Sequence, residues 1–480
     1  MYSYIIMGIF TLLKWLFFIN IPFGPKLSEK MEIRTHVKYT LPEEQQTIVN
    51  KVRGFYGLIG SNVANMSSIK SLMELFMEDG KIQGVFLDNG NITFVTHMVR
   101  TDKFIYEQQN GKIPVKNVFV QMMFYLLHRL KLLPNLIGMA NTSILKVKNN
   151  YFALFERDVP YKLNIDFDKK MVETEGRVNL GPIQHFSAHS KVFTNDCLDQ
   201  NRGQIETIEY LIDKKRVVYY QMTSDFDITY QKRFDMKYIP ITHDFYSNQD
   251  RLVIIDSPLI YETKIDFIRH FPLLFDKTKD TIIYIFDKQR GGIQKYVATG
   301  KAFYVFHYGD YKETDDRIEI YASIYRDIDF MKYDIYGKYS KIVIDKVSGS
   351  VDIIEGDEAD KYNLDFPMRY SHFSRTAKNV NRQSKLAFTN TDMQKKEITG
   401  IIIYDDLKLE KKMIYTDRTI CGEPSIVYID EIPYLLSFAN TNQTSLFMIL
   451  NLKTYETIEI PISDKVRTGF HSTFITDPRS

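Results

Sequence analysis

Tyr238–Ser247 reads YIPITHDFYS, and RLVIIDSPL follows at once from Arg251. The first stretch is β-branched and aromatic up to one histidine, His243, with Asp244 and Phe245 behind it. The second is another strand-like run, bounded by turn residues. An imidazole is therefore expected where a strand ends or turns, on a rigid support. Moving outward, the pattern recurs. YFALFERD, RVVYYQMT, TIIYIFDK, FYVFHY, RIEIYASIY, KIVIDKV, GIIIYDDLKL, SIVYIDEI, YLLSFAN and SLFMILNL follow one another after Asn141. They are separated by Gly, Asp, Asn and Lys turns, with no alternation of strand and helix. That density predicts an all-β sandwich, barrel or propeller. No blade signature of the WD type repeats, so periodicity alone does not choose among them. No Ser/Gly/Pro-rich linker divides the chain, so residues 31–480 read as a single domain.

The composition narrows the function. Of 480 residues, 44% are hydrophobic, enough for a large core, and the net charge of +2 with no arginine-rich patch argues against nucleic acid. The two cysteines, Cys197 and Cys421, are far apart, which excludes a disulfide framework or a zinc ribbon and favours a reducing compartment. P-loop, dinucleotide-glycine, HExxH and GxSxG motifs are absent.

Two apolar segments suggest a membrane. Tyr2–Phe23 holds 22 residues with one charge, Lys14, long enough for a spanning helix. Residues 1–25 are thus expected to anchor the protein, by spanning or by lying in the interface on Lys14 and Trp15, unless Met31 is the working start. Lys26, Lys30 and Arg34 would keep the main domain on the cytoplasmic side. Val118–Leu133 (VFVQMMFYLLHRLKLL) is too short to span. It is expected as a buried capping helix, or as a membrane-facing mouth of an apolar tunnel. Further N-terminal expectations are a short helix in Pro42–Arg53 and a hairpin turning at Asp88-Asn89-Gly90.

Three more histidines have settings like that of His243: His189 in HFSAHSKV, His307 in AFYVFHYGD and His471 in RTGFHSTF. The gaps of 54, 64 and 164 residues are no local metal motif. If the four share an ion, distant strands must converge, as the inner strands of a propeller do. Imidazole suits Fe, Cu, Zn and Ni. The ordinary reading of a histidine beside aromatics is a satisfied structural residue. Six others, His36, His97, His128, His185, His270 and His372, receive no metal role. Metal-bound imidazoles usually donate their other N–H to a carboxylate. Glu156, Asp365 and Glu423 each interrupt an apolar or strand-like context, although the ordinary reading of any one of them is a surface residue.

In this order the motifs MVRTDKF (98–104), GMANTSIL (138–145), ALFERDVPYKL (153–163), FSAHSKV (186–192), THDF (242–245), VIIDSPL (253–259), YVFHYGD (304–310), DFPMRY (365–370), GEPSIVY (422–428), YLLSFAN (434–440) and GFHSTF (469–474) resemble those of the carotenoid cleavage oxygenases. That family also contains a retinoid isomerohydrolase. The resemblance implies a seven-bladed β-propeller with a helical and loop cap over the iron face. It implies Fe(2+) held by His189, His243, His307 and His471, with Glu156 supporting His243, Asp365 supporting His307 and Glu423 supporting His471. His189 would have no carboxylate, and Thr142 would lie near the vacant iron position. The implied reaction adds O2 across a conjugated C=C bond of a hydrophobic polyene to give two carbonyl products, and needs no general acid or base.

The sequence departs from the family in three places. Asp365 stands where glutamate is usual, so the shorter side chain is expected to reach His307 only through water or a shifted strand, with a looser or locally rebuilt iron site. An early FDGDGM-like motif is eroded to FMEDGKI (76–82), and Arg317–Asp365 matches the family poorly. The alternatives are a catalytically impaired iron- or lipid-binding propeller and, less favoured, a retinoid-ester isomerohydrolase. Of the sequons Asn65, Asn91, Asn141 and Asn442, Asn141 falls in a motif expected to be buried. Substrate, cleaved bond and oligomeric state are not legible.

Overall fold

The computed structural model describes residues 32–113, 118–193, 204–262, 273–376, 379–405, 408–410, 414 and 418–479. Tyr2–Phe23 and Cys197 lie outside them. The chain is mostly β. Four successive stretches each form a four-stranded antiparallel sheet: Ser143–Arg177, Lys191–Asp235, Tyr246–Ala298 and Tyr304–Glu355. Strands from Leu364 to Ile462 form one nine-stranded sheet, whose two halves meet through the register pair Ile398–Ile420. Leu259–Tyr261 and Leu273–Phe275 form a small two-stranded sheet, and a five-stranded sheet joins the two ends of the described chain. Ser472–Thr476 pairs with Gly54–Ser61, which continues to Gly80–Asp88, Asn91–Met98 and Ile33–His36.

The sheets pack face on face in a closed cycle. One buried cluster joins the end-joining sheet to the next through Phe55, Phe86, Tyr151 and Tyr161. Others follow between each consecutive pair, such as Phe152 against Val218 and Tyr219 against Phe286. The cycle passes Val305 on Ile283 and Phe388 on Tyr339. It returns through Ile401 on Leu435 and Phe438 on Tyr56. This explains why RLVIID and TIIYIFD carry no apolar/polar alternation: both faces of these middle strands are covered. Water reaches the far edge strands, Ile228–Asp235, Ile293–Ala298 and Val351–Glu355, which are largely exposed.

Local expectations are met where the signal was local. Glu43–Lys51 is helical, with acids in its first turn and Lys51 in its last. The Asn89-Gly90 turn has φ of +49° and +80°, both in the left-handed region, as a two-residue hairpin turn requires. Val118–Arg129 is a helix. It is only half buried: Val120 and Phe124 are inside, while Met122 and Leu126, with Leu130 and Leu132 just beyond, face outward. Among the described residues no helix is long and apolar enough to cross a membrane. Asn141 is fully buried and donates to Ser61 Oγ and the Phe76 and Glu78 carbonyls, in line with its expected burial.

Candidate metal centre

Each of the four histidines sits on, or just before, the end strand of a different sheet. His189 precedes Lys191–Val192, His243 precedes Tyr246–Ser247 and His471 immediately precedes Ser472–Thr476. His307 departs from the expected strand-end setting. It lies inside Tyr304–Glu313, at a register shift between Val305 and Tyr308 that re-aims its side chain.

Side-chain and backbone hydrogen bonds fix these placements. Asp244 accepts from Lys191 Nζ at 2.7 Å and from the Phe245 and Tyr308 backbone N–H, tying the His243 loop to two neighbouring strands. The His471 segment crosses Gly54–Ser61 closely: Phe470 N–H donates to the Ile59 carbonyl at 2.8 Å and Ile59 N–H to the His471 carbonyl at 3.0 Å. A Cβ on Gly60 would lie 2.3 Å from Gly469 Cα, so only glycine permits this approach.

The four imidazoles converge. One ring nitrogen from each lies within 4.8 Å of the other three. Ring centroids of His189 are 4.6, 4.9 and 4.5 Å from those of His243, His307 and His471. The outer nitrogens are engaged. His243 Nδ1 lies 2.8 Å from Glu156 Oε1, His307 Nδ1 2.9 Å from Asp365 Oδ1, and His471 Nδ1 2.6 Å from Glu423 Oε2. An Nδ1–H donated to a carboxylate leaves the Nε2 lone pair pointing into the centre. Among the described residues no carboxylate contacts the His189 ring. Its Nε2 is 3.0 Å from that of His243.

Of the two routes expected for Asp365, water or a shifted strand, the structure has the shifted strand. The Asp365 carboxylate touches His307 directly. The strand Leu364–Thr376 shifts register between Asp365 and Met368, and Phe366 takes a φ of +51°. This bulge brings the shorter side chain up to the ring. Thr142, buried, lines the same cavity as His307 and His471 and donates to Asn141 Oδ1. The eroded FMEDGKI motif also has a role: Asp79 pairs with buried Lys103 at 2.6 Å, and Glu107 completes the cluster at 2.9 Å.

Burial pushes His189 well below the usual histidine range, and the three neighbouring imidazoles add to it. His471 is also lowered by burial, against the pull of Glu423. Burial works on His307 in the same direction, but the Asp365 carboxylate in contact holds it above its ordinary value. Asp365 in turn lies below its own, against its burial, because of His307.

The donor set fits a divalent cation. Two imidazole nitrogens 3.0 Å apart match adjacent positions around an ion with bonds of ~2.1 Å. His307 Nε2 is buried with no hydrogen-bond partner, a lone pair that an ion would satisfy.

Aromatic side chains that sequence reasoning did not single out wall the centre. Phe366 stacks on His307 at 5.0 Å and meets His471 edge-on at 5.1 Å. Phe306 lies 5.4 Å from His243. Both adjoin a predicted site residue in sequence, the one signal that could have marked them.

A mostly-β scaffold that gathers four histidines, three of them on carboxylates, defines a class of metal-site protein. The comparisons assign the particular family: residues 38–476 match the family model described as Retinal pigment epithelial membrane protein, and the chain belongs to that family, the carotenoid cleavage oxygenases. It is similar to carotenoid 9,10(9',10')-cleavage dioxygenase 1 of Pisum sativum, with 24% identity covering 84% of this chain and 81% of the relative. It is also similar to a probable chloroplastic carotenoid cleavage dioxygenase 4 of Arabidopsis thaliana, at 22% identity over 96% and 83%. Among solved structures, cobalt-substituted Synechocystis apocarotenoid oxygenase shares the fold with a TM-score of 0.71 at 15% identity, covering 95% of this chain and 98% of that one. Pseudomonas brassicacearum lignostilbene dioxygenase does so with a TM-score of 0.70, at 15% identity over 95% and 100%.

Proposed function

We propose that this protein is a non-haem Fe(II) dioxygenase that cleaves a conjugated C=C bond of a carotenoid, apocarotenoid or related polyene. The observation that carries the reading is the four-histidine cluster, with three rings oriented by carboxylates, set at the junction of two largely apolar cavities. When bound, the iron supplies O2 activation. The chain's residues do the rest. His189, His243, His307 and His471 hold the ion, and Glu156, Asp365 and Glu423 keep three of the rings in the ligating tautomer. Phe306, Phe366 and Phe155 exclude water and position one double bond beside the site. The double bond breaks and each of its carbons takes one oxygen atom of O2 as a carbonyl, so no external reductant and no side-chain proton donor is required.

The scaffold reading belongs with it. Seven inter-sheet cores in cyclic order, and a nine-stranded sheet joined at its middle by one residue pair, support a seven-bladed propeller with the histidines around its axis. The outward apolar residues of Val118–Arg129, with Arg129 and Lys131 beside them, support contact with a membrane surface from which such substrates are taken. The direct Asp365–His307 contact favours a competent site over an impaired iron-binding propeller.

Metal analysis of anaerobically purified, untagged protein, coupled to O2 uptake with apocarotenoids and stilbenes, tests the reading. Near-stoichiometric iron with substrate-dependent O2 consumption and aldehyde products is expected, both lost in His307→Ala. Folded protein that takes up no iron would overturn it.

A further inference from the structure

The space around the four histidines has two lobes, of about 130 and 140 Å³. They share Phe76, Phe155, Glu156, His243 and Phe306, and so meet at the metal position. The first is walled mainly by aromatic, Met and Ile side chains; the second mixes such residues with Thr142, Asn363, Thr391 and Thr468; each contains one cation.

In the first lobe the cation is Arg157. Its guanidinium lies 5.0 Å from the centre of the Tyr125 ring, and its Nε is buried with no hydrogen-bond partner. Its sequence neighbour Glu156 is committed to His243. In the second lobe it is Lys396, half-buried at a turn where its own φ is +57°. The ammonium donates to the Ile69 carbonyl and sits 5.2 Å from the centre of the Tyr333 ring, which leaves further N–H donors for the cavity. Among the described residues no carboxylate pairs with either cation. Both side chains are half-buried, and Arg157 also bonds the Tyr210 side chain, so each keeps donors that a ligand acceptor in its lobe would take up. Here one such side chain stands in each lobe, on either side of the reacting position.

We infer that the substrate is a linear conjugated chain carrying an oxygen acceptor, a carboxylate or aldehyde, at both ends, with one end held by Arg157 and the other by Lys396. Each product then leaves with one original polar end and one new carbonyl. The inference rests on the proposed function for the identity of the cavity as a substrate site, and it names the substrate class for that site.

Binding without turnover tests it. The iron-loaded protein is titrated anaerobically with three polyenes of equal length: a dicarboxylic acid, a monocarboxylic acid and the hydrocarbon, each in the same detergent. A hydrogen bond to a charged group contributes about tenfold or more in affinity. The diacid should therefore bind at least tenfold tighter than the monoacid, and the monoacid at least tenfold tighter than the hydrocarbon. Lys396→Met and Arg157→Met should each bring the diacid to the monoacid level and leave the hydrocarbon unchanged. Equal affinity for the three ligands overturns the inference, as do variants that weaken all three alike. Should a variant not fold, the ligand series on the wild-type protein decides. O2 uptake by the same preparation separates the two readings. Uptake without the end-group preference removes this inference alone, whereas the preference without uptake removes the dioxygenase and leaves the binding assignment standing.

Discussion

Asp365 touches His307 directly, and changing it makes the sharpest test of the site. The Asp365→Ala substitution strips His307 Nδ1 of the acceptor that lies 2.9 Å away. The ring then loses its fixed tautomer and orientation, and Phe366, stacked on it at 5.0 Å, loses a neighbour that holds it in place. Loss of such a carboxylate behind a metal-bound histidine costs about 10–100-fold in metal affinity or activity, or about 1.4–2.7 kcal/mol. Asp365→Glu is the more informative change. If the aspartate were simply too short, glutamate would tighten the site. The structure argues otherwise: the carboxylate is already at hydrogen-bond distance, and one more C–C bond adds about 1.5 Å to be accommodated. The register shift and the left-handed Phe366 are set for the shorter side chain, so the longer one must push the ring or the strand at a cost of about 1–3 kcal/mol. Iron affinity, measured by chelator competition, should fall in both variants, as should O2 uptake. An Asp365→Glu protein that binds iron as tightly as wild type, or more tightly, and turns over faster would refute this account of the bulge.

Three further outcomes follow from the scaffold. Lys103→Met should lower stability by about 3–5 kcal/mol in urea unfolding, because it leaves Asp79 and Glu107 buried without their cation; a loss under 1 kcal/mol would show that the cluster is not a structural unit. Asp256 accepts from the Lys237 N–H on one oxygen and has no partner on the other, and burial raises its carboxyl from 3.8 to about 6. Its favourable contribution is therefore full below pH 4 and is lost as pH rises through about 6, so Asp256→Asn should gain up to about 3 kcal/mol relative to wild type between pH 4 and 8, and a pH-independent difference would contradict the assignment. Gly60→Ala should misplace the His471 segment through the Gly469 contact, lowering both melting temperature and iron content; iron retained in full would show that the crossing tolerates a side chain.

Local features were legible because their causes are local. The Asn89-Gly90 turn follows from which residues accept positive φ. The many strands follow from short apolar runs between turn residues, and middle strands covered on both faces explain why those runs do not alternate. The site was legible by another route. Spacings of 54, 64 and 164 residues say nothing about convergence, and only the ordered motifs linked the four histidines before the end strands of four sheets were seen to meet. By itself, then, the sequence determined the mostly-β class, the turn positions and the family's histidine and carboxylate motifs, since each depends on residues near one another in the chain. Only the tertiary structure decided that Asp365 reaches His307, because a register shift is a property of two paired strands rather than of one. It alone also decided that Arg157 and Lys396, 239 residues apart, line lobes on either side of one metal position, since cavity walls are assembled from side chains that long-range packing brings together.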